Sequence, residues 1–382
     1  MGIDTMFDRR AFASALVGGA AAGLTLPISV SHAAVGTRNP VQLFSSTTND
    51  MGEDALTVLD GGETRKIAGL PARGHAVSFH PSKPLGIIMA RRPDRFAVVF
   101  DPVRLTELHR FEPPEDRHFY GHAIFHPDGR HLLTTENDFD NARGVIGIYD
   151  IEDGYRRLGE WDSGAIGPHE LVLNADGGSV LIANGGIQTH PDTGRVKLNL
   201  DTMQSSMDLL DLKSGGLRRQ IRLEDPAFQQ LSLRHLATNG DGVAAIGGQW
   251  QGSDSVVLPL IAIVGSDGRQ SLLTAPDEVQ TSLDNYCGSV AFDSSGKVVA
   301  VTHPRGNVAT FWSVEGTPRY LNSLTMTDVC GVTAAAKPGT FYLSSGNGAV
   351  VHANAVSGKQ ISSLKQPTSS ISWDNHLAMP RG

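Results

Sequence analysis

Seven positions along this chain carry side chains that could do metal chemistry: His75, His122, His169, His235, Cys287, Cys330 and His376. Each stands at the head of a similar string, and the steps between them are 47, 47, 66, 52, 43 and 46 residues. Histidine makes up 14 of 382 residues, so five at seven equivalent places is far above random placement. Imidazole nitrogen and thiolate sulfur are donors that suit iron, copper, zinc or nickel. Held at one depth around a water-facing channel, they would form a port for such an ion or for a non-covalent haem. The competing reading is a structural girdle, each ring bonded to a neighbouring backbone. A slip of one residue in any strand would turn its side chain to the opposite face. For Cys287 and Cys330, which head successive repeats, a disulfide is the alternative to ligation in an oxidising compartment.

Three carboxylates stand close to this set. Glu136 lies in the string TTEND, Glu170 follows His169, and Asp374 precedes His376 by two residues. Each could ligate a metal directly, or stand beside a ligating imidazole and fix its tautomer and orientation. The alternative for each is a turn-capping or strand-end acid. Asn184, His190 and Arg195 fall in an unusually long stretch, where His190 and Arg195 suit an anionic ligand. His80 and His126 both follow Phe and precede Pro, which turn chemistry explains.

The elements that must position these residues are read from the repeat. After each head come a short apolar strand, a turn rich in Pro, Asp or Gly, and further β-rich runs, as in Gly121 to Gly129 followed by His131 to Glu136 and Val145 to Tyr149. A four-stranded propeller blade takes about 40 to 50 residues, so each copy reads as one blade. The expected fold is all-β, a seven-bladed β-propeller, with blade starts near residues 75, 122, 169, 235, 287, 330 and 376. The copy between His169 and His235 is too long by about 18 residues, an excess placed at Gly185 to Ser205. Val41 to Leu70 reads as three strands without an inner one, and Trp373 to Pro380 as an inner strand with none after it. Pairing the two ends makes a composite last blade and removes the exposed edges of an open ring.

Composition bounds the rest. A formal net charge of −8 argues against nucleic acid as a partner. No CxxCH occurs, which excludes covalent c-type haem. Residues 1–33 read as an export signal: Arg9 and Arg10, then Phe12, then an Ala- and Gly-rich run to Leu26, with Ser31-His32-Ala33 preceding a cleavage site. This resembles a twin-arginine signal, with Asp8 in place of the commoner Ser or Thr. The expectation is a periplasmic protein, residues 34–382 forming one propeller domain with no membrane span after cleavage.

Several longer strings are distinctive: HFYGHAIFHPDG, TTEND, GVIGIYD, GPHELVL, ANGGIQTHPDTGR, LNLDTM and WDNHLAMP. On these strings the chain resembles the periplasmic propellers of domain of unknown function 1513, a resemblance that extends over nearly all of the mature chain. The resemblance implies partners in iron-acquisition clusters, namely imelysin-like proteins and di-haem oxidoreductases. It supplies no catalytic residues. Neither GxSxG nor HExxH is present, so the leading reading is a non-catalytic propeller that binds metal or haem in its channel and assists iron uptake. An oxidoreductase or hydrolase using the same channel is the second reading. A docking scaffold with an empty channel is the third.

Overall fold

The computed structural model describes residues 41–380, and the export signal expected at residues 1–33 lies outside them. Seven four-stranded antiparallel sheets follow one another along the chain. The first six take their strands in sequence order from the axis outwards, as in Gly74–Phe79, Gly86–Ala90, Ala97–Asp101 and Thr106–Phe111. The seventh is composite. Ile371–Trp373 lies innermost and pairs with Gln42–Asn49, followed by Asp54–Asp60 and Glu63–Gly69. A further bridge between Phe44 and Ala378 extends this pairing past His376. The propeller and its closure by the C-terminal strand are therefore as the repeat implied.

Burial explains why the strands differ in composition. Middle strands are covered on both faces by neighbouring blades, so Ala97–Asp101 and Val308–Ser313 are buried throughout. Outer strands face water, and Thr106–Phe111 and Lys359–Lys365 are largely exposed and polar. The core is accordingly divided into clusters between blades. One joins Phe44, Ile88, Phe100 and Phe119, and another joins Leu43, Cys330, Val350, Trp373 and Leu377.

Two departures from the repeat concern loops. The excess at 185–205 connects Ser179–Asn184 to Ser206–Asp211, where the sequence placed it. A second addition, unforeseen from the strings, precedes the fifth blade and contains the short helix Asp277–Ser282. Among the described residues no helix is long and apolar enough to cross a membrane.

The inner strands carry the device that aims the ring. Their pairing shifts register between Gly74 and Val77, Phe119 and Ala123, Pro168 and Glu170, and Leu233 and His235. A bulge frees residues from the ladder and re-aims their side chains. His75, His122 and His169 lie inside these bulges, and His235 closes the fourth. Gly121 shows how tightly they pack. Its φ is +111°, and a Cβ there would stand 2.4 Å from the His75 ring of the preceding blade. Only glycine meets both demands.

Candidate metal centre

All five ring histidines converge. Ring centroids lie 4.4 Å apart for His75 and His376, 4.6 Å for His122 and His376, 4.8 Å for His169 and His235, and 5.0 Å for His122 and His169. His122 Nε2 and His376 Nε2 are 3.1 Å apart. Glu170 joins them, its Oε2 3.6 Å from His122 Nε2 and 3.4 Å from His235 Nδ1. Two overlapping sets keep their donor atoms within 4.8 Å of one another: His122, His169, Glu170 and His235, and His75, His122 and His376. Zinc- or iron-binding residues are spaced on this scale before an ion draws them in.

Electrostatics leaves these groups short of partners. His75, His122, His169 and His235 are buried. Burial first, then the neighbouring imidazoles, pushes His122, His169, His235 and His376 well below the ordinary histidine value. They are thus neutral at neutral pH, the form that ligates. Yet the Nδ1 atoms of His122 and His169 and both ring nitrogens of His235 lack hydrogen bonds among the described residues. Buried polar atoms are seldom left so. Burial also pushes the Glu170 carboxyl up to about 8, against a hydrogen bond from the Leu236 N–H.

His75 has a carboxylate to orient it. Its Nδ1 stands 3.0 Å from Asp374 Oδ1. The carboxylate can only accept, so Nδ1 carries the proton and Nε2 keeps a free lone pair. Burial pushes the Asp374 carboxyl upward, but the His75 hydrogen bond, His75 itself, Arg73 and Arg91 outweigh it and hold the group well below the usual range. Arg73 also donates to Asp374 through Nε.

Above the ring opens a cavity of 410 Å³, with His75, His169 and His235 at its wall. Arg91, Arg92, Arg195, Lys197, Arg234 and Arg305 also line it, and among the described residues Asp254 is its one acid. Arg234 is 7% exposed and forms no ion pair with a described residue. Burial, then the charge of Arg92, brings its guanidinium down to about 9.

The sequence matches the family model "Protein of unknown function (DUF1513)" over residues 68–379. This chain belongs to the DUF1513 family. A search of curated proteins finds no match. Among solved structures the chain is similar to Kuenenia stuttgartiensis hydrazine synthase, at 15% identity and a TM-score of 0.59, covering 86% of this chain and 99% of that one. Likeness at that identity shows the fold alone.

For this DUF1513 chain the structure sorts the residues singled out by sequence. His75, His122, His169, His235, His376 and Glu170 come together, with Asp374 behind His75. His75, His169 and His235 line the cavity, and His122 and His376 pack against His75, so the ring is set back from a water-facing mouth.

Cys287 and Cys330 require correction. Both are free and buried, in different core clusters. Cys330 Sγ points to the carbonyls of Trp373 and Ser344, 3.3 and 3.6 Å away. Burial pushes both thiols far up, so neither is a thiolate at neutral pH. In the fifth blade the cavity-facing residue is Tyr286, one before Cys287, a reversal of the kind a one-residue slip produces. We expect two thiols to titrate in denatured, unreduced protein and almost none in native protein. A mass two daltons low with no titratable thiol would restore the disulfide.

Glu136 also leaves the site. Its carboxylate accepts from Thr134 at 2.7 Å, Tyr149 at 2.6 Å and Arg157 at 2.9 Å, all within its own blade. Of Asn184, His190 and Arg195, only Arg195 reaches the cavity. His190 sits on the rim, its Nδ1 accepting from the Asp192 N–H at 3.2 Å to cap a short turn. Asn184 is buried and ties Ser163 to Asp208, donating to the Asp208 carboxylate at 2.9 Å.

The Asp208 carboxylate at the end of that contact carries a pH dependence. Burial pushes Asp208 up to about 6, although Gln220, Ser206 and Asn184 all donate to it. Its Oδ1 has no partner among the described residues. Unfolded, an aspartate titrates near 3.9, so between about pH 4 and 6 the folded state holds the extra proton. Stability from this group is present in acid and lost as pH rises through about 6, a change of about 2 kcal/mol. Asp208→Asn removes the titration. Denaturant unfolding at pH 4 and pH 7 should show the Asn variant gaining on the parent by about that amount. Equal pH slopes for the two proteins would refute it.

The sequence reading missed Arg91, Arg92, Lys197, Arg234, Arg305 and Tyr286. Arg234 directly precedes His235, and Lys197 follows Arg195 by two, but nothing in their spacing marks a shared wall.

Proposed function

We propose that this chain is a non-catalytic metal-binding propeller whose histidine ring holds one first-row transition-metal ion. The observation that carries the reading is the convergence of buried imidazoles with Glu170, their donor atoms within 4.8 Å of one another, and with both His235 nitrogens lacking hydrogen bonds among the described residues. A nitrogen-rich set with one carboxylate suits iron, copper, zinc or nickel and not calcium or magnesium. His122, His169, His235 and Glu170 would supply the donors, and the Asp374 carboxylate would hold His75 in its ligating tautomer. Rings packed this closely leave no room for a porphyrin plane among them, so a single ion is favoured over haem. The twin-arginine-like segment supports work in the periplasm. The resemblance noted from the strings supports a role in iron acquisition beside imelysin-like or di-haem partners.

The test is direct loading. Metal-free protein titrated with Co²⁺ should take up about one ion per chain and develop visible ligand-field absorption. Absence of uptake, or binding without that absorption, would overturn the reading.

A further inference from the structure

The cavity above the ring has chemistry of its own. Six cationic side chains from separate parts of the chain converge on it, against the single acid Asp254. On a protein whose net charge is −8, this concentration runs against the rest of the composition. Arg91, Arg92, Arg195 and Lys197 form no ion pair with a described residue, and burial lowers each of them. Arg234 is nine-tenths buried, and among the described residues its one hydrogen-bond partner is the neutral Ser232 hydroxyl. Arg305 lies over the Tyr286 ring at 4.6 Å, held at the cavity wall by a cation–π contact.

Buried cations are ordinarily paired. An anion bridging several of these side chains would relieve their repulsion and give the buried Arg234 a charged partner. A monovalent anion would satisfy one guanidinium, whereas several carboxylate or phosphate groups on one small molecule match several forks at once. The field at this mouth draws in an anion.

We propose that this funnel is a binding site for a small multivalent oxyanion, seated directly above the histidine ring. The assignment deepens the metal-site reading by naming what sits over it, and it is tested without metal so that either can fail alone.

The experiment is isothermal titration of the full, metal-free chain at fixed ionic strength. Citrate and pyrophosphate are the probes, and acetate is the monovalent control. We expect at least one probe to bind about tenfold or more tighter than acetate. Tighter citrate identifies a polycarboxylate site, and tighter pyrophosphate an oligophosphate site. Arg195→Gln with Lys197→Gln lies on an exposed loop, where folding is not at risk, and should weaken that binding about tenfold. The same variant should still bind Co²⁺ at the ring. Neither probe exceeding acetate, or a variant that binds like the parent, would overturn the proposal.

Discussion

Deleting residues 371–382 should abolish cooperative unfolding. The lost strand Ile371–Trp373 is the innermost of the seventh sheet, where it pairs with Thr47 to Asn49 on the inner edge of Gln42–Asn49. With it go the reciprocal Phe44–Ala378 backbone bonds of 2.8 and 2.9 Å, the Asp374 N–H bond to the Ser46 carbonyl, and the Ser45 hydroxyl bond to the His376 carbonyl. Trp373 is 1% exposed, packs with Leu43 and Cys330, and donates to the Gly348 carbonyl of the sixth blade at 3.0 Å. Removing a buried tryptophan side chain alone costs about 3–5 kcal/mol, and whole domains are stable by about 5–15 kcal/mol. Exposing a strand edge in a closed ring adds an aggregation hazard. Trp373→Ala keeps the backbone pairing and should retain a sigmoidal melt at lower temperature. Circular dichroism melts of the two variants beside the parent check this. A deleted chain that melts like the full one would refute the closing strand's weight.

Replacing His122 and His169 together by alanine should remove most bound metal and leave the fold nearly intact. Both rings belong to the set His122, His169, Glu170 and His235, so two of four donors vanish together. Bound Co²⁺ should fall at least about tenfold at equal free metal, in line with the loss of direct ligands. The fold loses little, because His122 Nδ1 and His169 Nδ1 lack hydrogen-bond partners among the described residues. The space they leave adjoins the funnel and fills with water. The melting temperature should shift by only a few degrees, equivalent to about 1 kcal/mol or less. Elemental analysis and melting on one preparation decide between a port and a girdle. Unchanged metal with a large fall in melting temperature would leave only a scaffold.

How much of this was legible beforehand differs between fold and site. The blades could be read because each is a local object: His131 to Glu136 and Val145 to Tyr149 pair across a short turn, and turn residues announce it. The composite blade could be read because three strands at one end lacked an inner partner that the other end supplied. The five histidines could be read because a propeller repeats one inner position about its axis, so regular spacing becomes one depth. Cys287 and Cys330 followed the same spacing and still turned away. Cys330 even lies in a bulge between Val329 and Val332 like the one around His75, yet its Sγ packs onto the Trp373 and Ser344 carbonyls, a contact that leaves no mark in the spacing. Glu136 and Asn184 were drawn off by partners inside their own blades, where Tyr149, Arg157 and Asp208 compete for them.

What the sequence determined by itself was therefore the periodic part: seven sheets, their order, their closure, and the imidazoles at the repeated position. Tertiary structure alone decided the cationic funnel. Arg92, Lys197, Arg234 and Arg305 lie in different blades or their connecting loops and share no motif. Their proximity arises from a closed ring that brings loops distant in sequence to one mouth, and there their charges act on one another through a poorly solvated space.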